Sequence, residues 1–138
     1  MSADVSAHGL VQLRDGNGVP QLSEPMRLLR FSDRGEFWDA WDLAADYRQH
    51  PLPMAARWSA ELVESGPLTA RIVLRTVAGL SQVRLDLILK ADSPWLEAQL
   101  SVQWQQTHEL LRLELPLHNP AVRWAADTSG GVIERPAQ

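Results

Sequence analysis

The chain has 138 residues, 45% of them apolar, a size and composition that fit one globular domain able to bury a core. Its formal charge of -4 and the lack of any basic run make it a poor partner for a phosphate backbone, so no nucleic-acid role is expected. Cysteine is absent, which excludes a disulfide framework and thiolate chemistry.

The opening MSADVSAHGLVQLRDGNG has no charged segment followed by an apolar stretch, so no signal peptide is expected. No apolar run approaches the ~20 residues needed to span a bilayer. Together with the missing cysteines, which suit a reducing compartment, this gives the expectation of a soluble cytoplasmic protein with no membrane partner.

The first predicted element is a hairpin closed by RDGNGVP, where Gly16 or Gly18 can take a positive φ without steric cost. The next stretch, EFWDAWDLAADY (Glu36 to Tyr47), differs from the rest. Phe37, Ala40, Trp41 and Ala44 fall at helical spacing, which predicts one short amphipathic helix. Pro51 and Pro53 would end it, because proline restricts the residue before it.

From Trp58 onward the pattern has period two. Trp58, Ala60 and Leu62 share one face, as do Leu68, Ala70, Ile72 and Leu74. Val83, Leu85, Leu87 and Leu89 alternate with Gln82, Arg84, Asp86 and Lys90. Leu96, Ala98, Leu100, Val102 and Trp104 form the next apolar face, followed by Leu111, Leu113 and Leu115 alternating with Arg112 and Glu114. A helix would scatter these sets around its circumference, whereas strands with one buried and one wet face collect them. The breaks ESGPL, VAGLS and KADSPW are turn chemistry, and such short connections imply antiparallel neighbours. Roughly eight strands at this spacing predict an all-β, antiparallel fold, a sandwich or a barrel, as a single domain over residues 1–138. Trp58 and Trp104 lie on apolar strand faces and are expected in the core.

Several catalytic chemistries lack their signatures. His8, His50, His108 and His118 show no zinc-ligand spacing. There is no Gly-x-Ser-x-Gly elbow and no phosphate-cradling loop, DGNG being a turn. Asp39 and Asp42 could meet the ~5–10 Å separation of a glycosidase pair, but the same residues can instead accept hydrogen bonds from nearby backbone N–H groups and order a loop. Trp38 and Trp41 beside those carboxylates hold both ingredients of a sugar surface, and an amphipathic indole suits packing and ligand contact equally.

Four stretches in order, DRGEFWDAWDLAADY, VESGPLTARIVL, LSVQWQQTHELLRLELPL and GGVIERP, resemble the C-terminal β-sandwich of family 38 α-mannosidases. The matching positions are Asp39 to Asp42 with Tyr47, Gly66 to Leu68 with Arg71, Trp104 with His108, Leu110 and Leu111, and Gly131 to Pro136. The family usually carries a tyrosine and a Pro-Phe before the last run, where this chain has Ala126, Ser129 and Gly130.

The resemblance implies a galactose-mutarotase-like supersandwich, cut short here as a fragment of a longer α-mannosidase-like glycoside hydrolase. Retaining hydrolysis and the zinc site would belong to an N-terminal barrel, so this chain is expected to hold no cofactor and to be inactive alone. Its partners would be that catalytic barrel and mannose-type carbohydrate. The sugar-proximal candidates are Trp38, Asp39, Trp41, Asp42, Tyr47 and Arg135. A standalone carbohydrate-binding module is the alternative. A mutarotase-like isomerase using His108 and Glu114 is a more distant one, since fold does not fix function. A shortened sheet exposes strand edges and apolar area, so self-association as a dimer is expected.

Overall fold

The computed structural model describes residues 1–35, 42–54, 57–119 and 121–136. The described strands are β1 (Ser2–Ser6), β2 (Gly9–Arg14), β3 (Arg27–Ser32), β4 (Pro51–Leu52), β5 (Ser59–Ser65), β6 (Thr69–Ala78), β7 (Ser81–Lys90), β8 (Leu96–Gln103), β9 (Glu109–Glu114), β10 (Arg123–Thr128) and β11 (Gly131–Pro136). These eleven exceed the rough expectation of eight, because β1, β4 and the β10–β11 hairpin lack a strong alternating signature. The only described helix is a 3-10 turn, Tyr47–Gln49. The expected amphipathic helix falls mainly on 36–41, outside the described residues.

All strand pairs are antiparallel and no sheet closes on itself. A four-stranded sheet runs β5-β6-β7-β8, and a three-stranded sheet runs β4-β3-β9. The longest ladder joins β6 to β7 through ten consecutive pairs, from Thr69↔Lys90 to Ala78↔Ser81. Its two-residue loop places Gly79 at φ 62, the sign that the first loop position of a tight II′-type hairpin requires.

Directly opposed residues share a face. Ile72 therefore lies with Leu87, and Leu74 with Leu85, on the inner side of the larger sheet. Leu28 of the smaller sheet joins them in one cluster with Leu10, Leu22, Met26 and Trp58, and Leu111 and Leu113 of β9 pack against it. The two sheets thus close over a shared core, which makes the fold a β-sandwich. Each fully buried leucine contributes about 1.5–3 kcal/mol. Trp58 is core as expected, at 4% exposure, while Trp104 is half-buried. Leu62 and Leu68, placed on apolar faces by alternation, are exposed at 60% and 72%.

The RDGNGVP turn forms, with Gly18 rather than Gly16 at positive φ. Asp15 Oδ1 accepts from Asn17 N and Val19 N, each at 2.9 Å. It is not the centre of a two-strand hairpin, however. β2 pairs with β1, and the returning chain makes only isolated bridges, Arg14↔Pro20 and Leu22↔Leu117.

On the outer face of the larger sheet the register sets Val73 against Asp86, yet both are buried, at 1% and 2% exposure. Alternation alone would leave them wet. Arg84 donates to Asp86 from Nε at 2.7 Å and from Nη2 at 2.9 Å. Arg71 donates from Nε at 2.8 Å and again from Nη2. These bonds, those of Arg84 foremost, hold the Asp86 carboxyl down at about 2 against the opposing effect of burial.

Asp86 thus stays ionised in the folded chain to about pH 2, whereas an unfolded aspartate protonates near ~3.9. Its contribution to stability is complete above that unfolded value and disappears as pH falls toward 2. Urea midpoints should drop over this window. Asp86→Asn should flatten the dependence and lower stability at neutral pH by about 1–3 kcal/mol; identical acid profiles for the two proteins would assign the acid limit to other carboxylates.

Candidate functional site

The sequence candidates converge on the segment between β3 and β4. Trp38, Asp39 and Trp41 lie outside the described residues. Asp42 is exposed and its Oδ1 accepts from Leu43 N at 2.9 Å, a loop-ordering bond of the kind expected for these carboxylates. Tyr47 opens the 3-10 turn and is half-buried.

Tyr47 is positioned by the outer face of the smaller sheet. The β3–β9 register puts Arg27, Leu29 and Phe31 on that face, opposite Glu114, Arg112 and Leu110. The Tyr47 ring stands edge-on to Phe31, with centroids 5.3 Å apart and planes at 87°. Its hydroxyl accepts from Arg112 Nη1 at 2.8 Å and from Arg48 Nε at 3.2 Å. Arg112 Nε in turn lies 3.0 Å from Glu114 Oε1, and Arg27 Nη2 lies 3.1 Å from Glu114 Oε2. The bond from Arg48, then the charge of Arg112, hold the phenol below its ordinary pKa.

Asp33 fastens the segment from below. It is 9% exposed, its Oδ1 accepts from Ala44 N at 2.8 Å, and its backbone N–H donates to His108 O at 2.8 Å. Asp33 therefore links the end of β3 to the approach to β9 through its backbone N–H and to the chain leading to Tyr47 through its carboxylate. A buried acceptor must be satisfied in this way. Beside it, Arg30 donates to Glu109 Oε2 from Nε at 3.0 Å and from Nη2 at 2.6 Å, a pair with only 14% and 19% side-chain exposure.

Arg135 makes its described ring contact elsewhere. It lies on β11, directly opposite Trp124 of β10, with its guanidinium carbon 5.7 Å from the indole centroid, within cation–π range. Among the described residues no hydrogen bond, ion pair or ring contact joins Arg135 to Asp42 or Tyr47. His108 immediately precedes β9 and Glu114 ends it, roughly 20 Å apart at ~3.4 Å per residue, and Glu114 is held by two arginines. That geometry does not favour an isomerase pair. Among the described residues no group of three or more His, Asp or Glu could hold a metal ion, and no helix is long and apolar enough to cross a membrane.

Sequence reasoning missed Asp33 and Arg112, the residues that organise the corner. Arg112 could have been found as a cation on the wet face of an alternating strand. Asp33 offered no signal, because its role comes from contacts with distant segments.

The profile of the glycosyl hydrolases family 38 C-terminal domain matches residues 1–138. The chain belongs to this family. It is 28% identical over 115 residues to alpha-mannosidase G of Dictyostelium discoideum, covering 80% of this chain and 10% of that protein. Over 109 residues it is 25% identical to alpha-mannosidase 2C1 of mouse and of human, covering 77% of this chain and 10% of each. The chain thus spans about a tenth of the length of these relatives. Its place in the family is carried by this match over residues 1–138, and its β-rich fold agrees with it.

If Tyr47 anchors the corner through both ring and hydroxyl, Tyr47→Phe should lower the melting temperature slightly and Tyr47→Ala distinctly more, because only the alanine also loses the Phe31 contact. Amide exchange of Ala44 and His50 should quicken in the same order. Equal melting temperatures for all three proteins would show that the 42–50 segment is held by Asp33 alone.

Proposed function

We propose that this chain is an accessory β-sandwich of an α-mannosidase-like glycoside hydrolase, packing on a catalytic unit and shaping its sugar site without performing the chemistry. The match to the family's C-terminal domain over residues 1–138 carries this reading. Bond cleavage and any zinc it needs would belong to other parts of such a protein. The described carboxylates agree with a scaffold role: Asp33, Asp86, Glu109 and Glu114 each hold backbone or arginine partners rather than facing one another across a cleft.

The packing surface would be the apolar end of the sandwich, where Trp95, Leu115 and Leu117 are exposed at 71%, 47% and 49% around a groove of about 300 Å³ lined also by Leu22, Leu96 and Leu113. Exposed apolar patches of this kind mark contact surfaces. The regular edge of β8 adds to it, since its eight residues carry one acid, Glu97, already paired with Lys90 at 2.6 Å. The opposite edge, β5, is blunted by a bulge between Leu62 and Glu64 and by Glu61.

Two measurements test the reading. The purified chain should show no turnover of an aryl α-mannoside with or without added zinc; turnover that survives repurification would overturn it. Light scattering should find a dimer that Trp95→Lys with Leu117→Lys converts to monomer, and a wild-type monomer at high concentration would remove the proposed contact surface.

A further inference from the structure

The outer face of the four-stranded sheet carries a second feature. The registers align Ser59, Arg75, Arg84 and Ser101 in one row across β5, β6, β7 and β8. The adjacent row holds Val77, Gln82 and Gln103, with Arg57 at its β5 end. These side chains line an open depression of about 700 Å³, within the ~300–1,000 Å³ of small-molecule sites.

Placing Arg75 directly against Arg84 costs stability, because like charges oppose across the ladder. Each is relieved from the row on the far side. Arg75 Nη1 donates to Glu61 Oε2 at 2.8 Å, and Arg84 reaches Asp86. Both guanidiniums keep further N–H groups beyond those bonds, since arginine has five donors. On this face Arg71 is also matched by Asp86, and Lys90 by Glu97. Arg57 differs: its exposed guanidinium has no ion pair or hydrogen-bond partner among the described residues, and only its backbone carbonyl is used, accepting from Thr76 Oγ1 at 3.1 Å. The depression therefore carries surplus positive charge, because Arg57 has no carboxylate and Arg84 shares that of Asp86 with Arg71, in a chain whose net charge is -4.

We propose that this depression binds a phosphorylated monosaccharide. Arg57 and the spare donors of Arg75 and Arg84 take the phosphate, for which guanidinium geometry is suited. Gln82, Gln103 and Ser101 take ring hydroxyls, and Val77, 60% exposed, offers an apolar patch to a sugar C–H face. The assignment is independent of the accessory-domain reading, because it concerns a different face and is read by binding rather than turnover.

The isolated chain would be titrated with mannose 6-phosphate, mannose and inorganic phosphate while amide chemical shifts are followed. The sugar phosphate should bind saturably, about tenfold or more tighter than either fragment, with shifts centred on Arg75, Arg84 and Ser101 and affinity falling as salt is raised. Arg57→Ala removes no structural partner and should weaken binding about tenfold or more. Gln103→Ala should weaken the sugar phosphate but not inorganic phosphate, and Ser101→Tyr on the exposed edge strand should block the site. Absence of saturable binding to the folded chain would overturn the proposal. Inorganic phosphate binding as tightly as the sugar phosphate, or affinity unchanged in both Arg57→Ala and Ser101→Tyr, would do the same.

Discussion

Leu74 and Leu85 face each other across the longest ladder of the protein and are at 0% and 2% exposure. Everything else is arranged around that contact. A period-two ladder commits alternate residues to one side, so fixing this pair on the inner face also fixes Ile72 with Leu87 inside and Arg75 with Arg84 outside. A slip of one residue would bury arginines and expose leucines. The smaller sheet is bound by the same constraint, because Leu28, Leu111 and Leu113 must meet that core from the opposite side.

The outer surfaces are then determined by what remains. On the larger sheet it is a field of arginines and carboxylates dense enough to bury Val73 and Asp86. Long arginine stems cover apolar surface while their heads remain polar. On the smaller sheet the outer face presents Phe31 and Arg112, which receive the Tyr47 ring and hydroxyl. The described stretch 42–50 that leads into β4 is thereby held at two points, Ala44 through Asp33 and Tyr47 through Phe31 and Arg112.

Many charged groups of the described residues are spent on one another, and Asp86, Glu109 and Glu114 each hold arginine partners. The β10–β11 hairpin, which holds the Gly-Val-Ile-Glu-Arg-Pro run, pairs only with itself among the described strands. A two-stranded hairpin is marginal alone in water.

The alternation from Trp58 to Leu115 was legible because strand period is local: each residue's face follows from its neighbours, whatever the rest of the chain does. Turn positions such as Gly18 and Gly79 were legible for the same reason, since positive φ selects glycine residue by residue. The sequence by itself thus determined the class of fold, the inner faces of β6, β7 and β9, and the family through motifs in order. Tertiary structure alone decided the rest. It determined that Asp33 would capture Ala44, that Tyr47 would sit on Phe31 and Arg112, that Arg135 would lie over Trp124, and that Arg57, Arg75 and Arg84 would border one depression. Those contacts depend on strand register and on how loops fold back onto the sheets, which the alternation of a single strand does not encode.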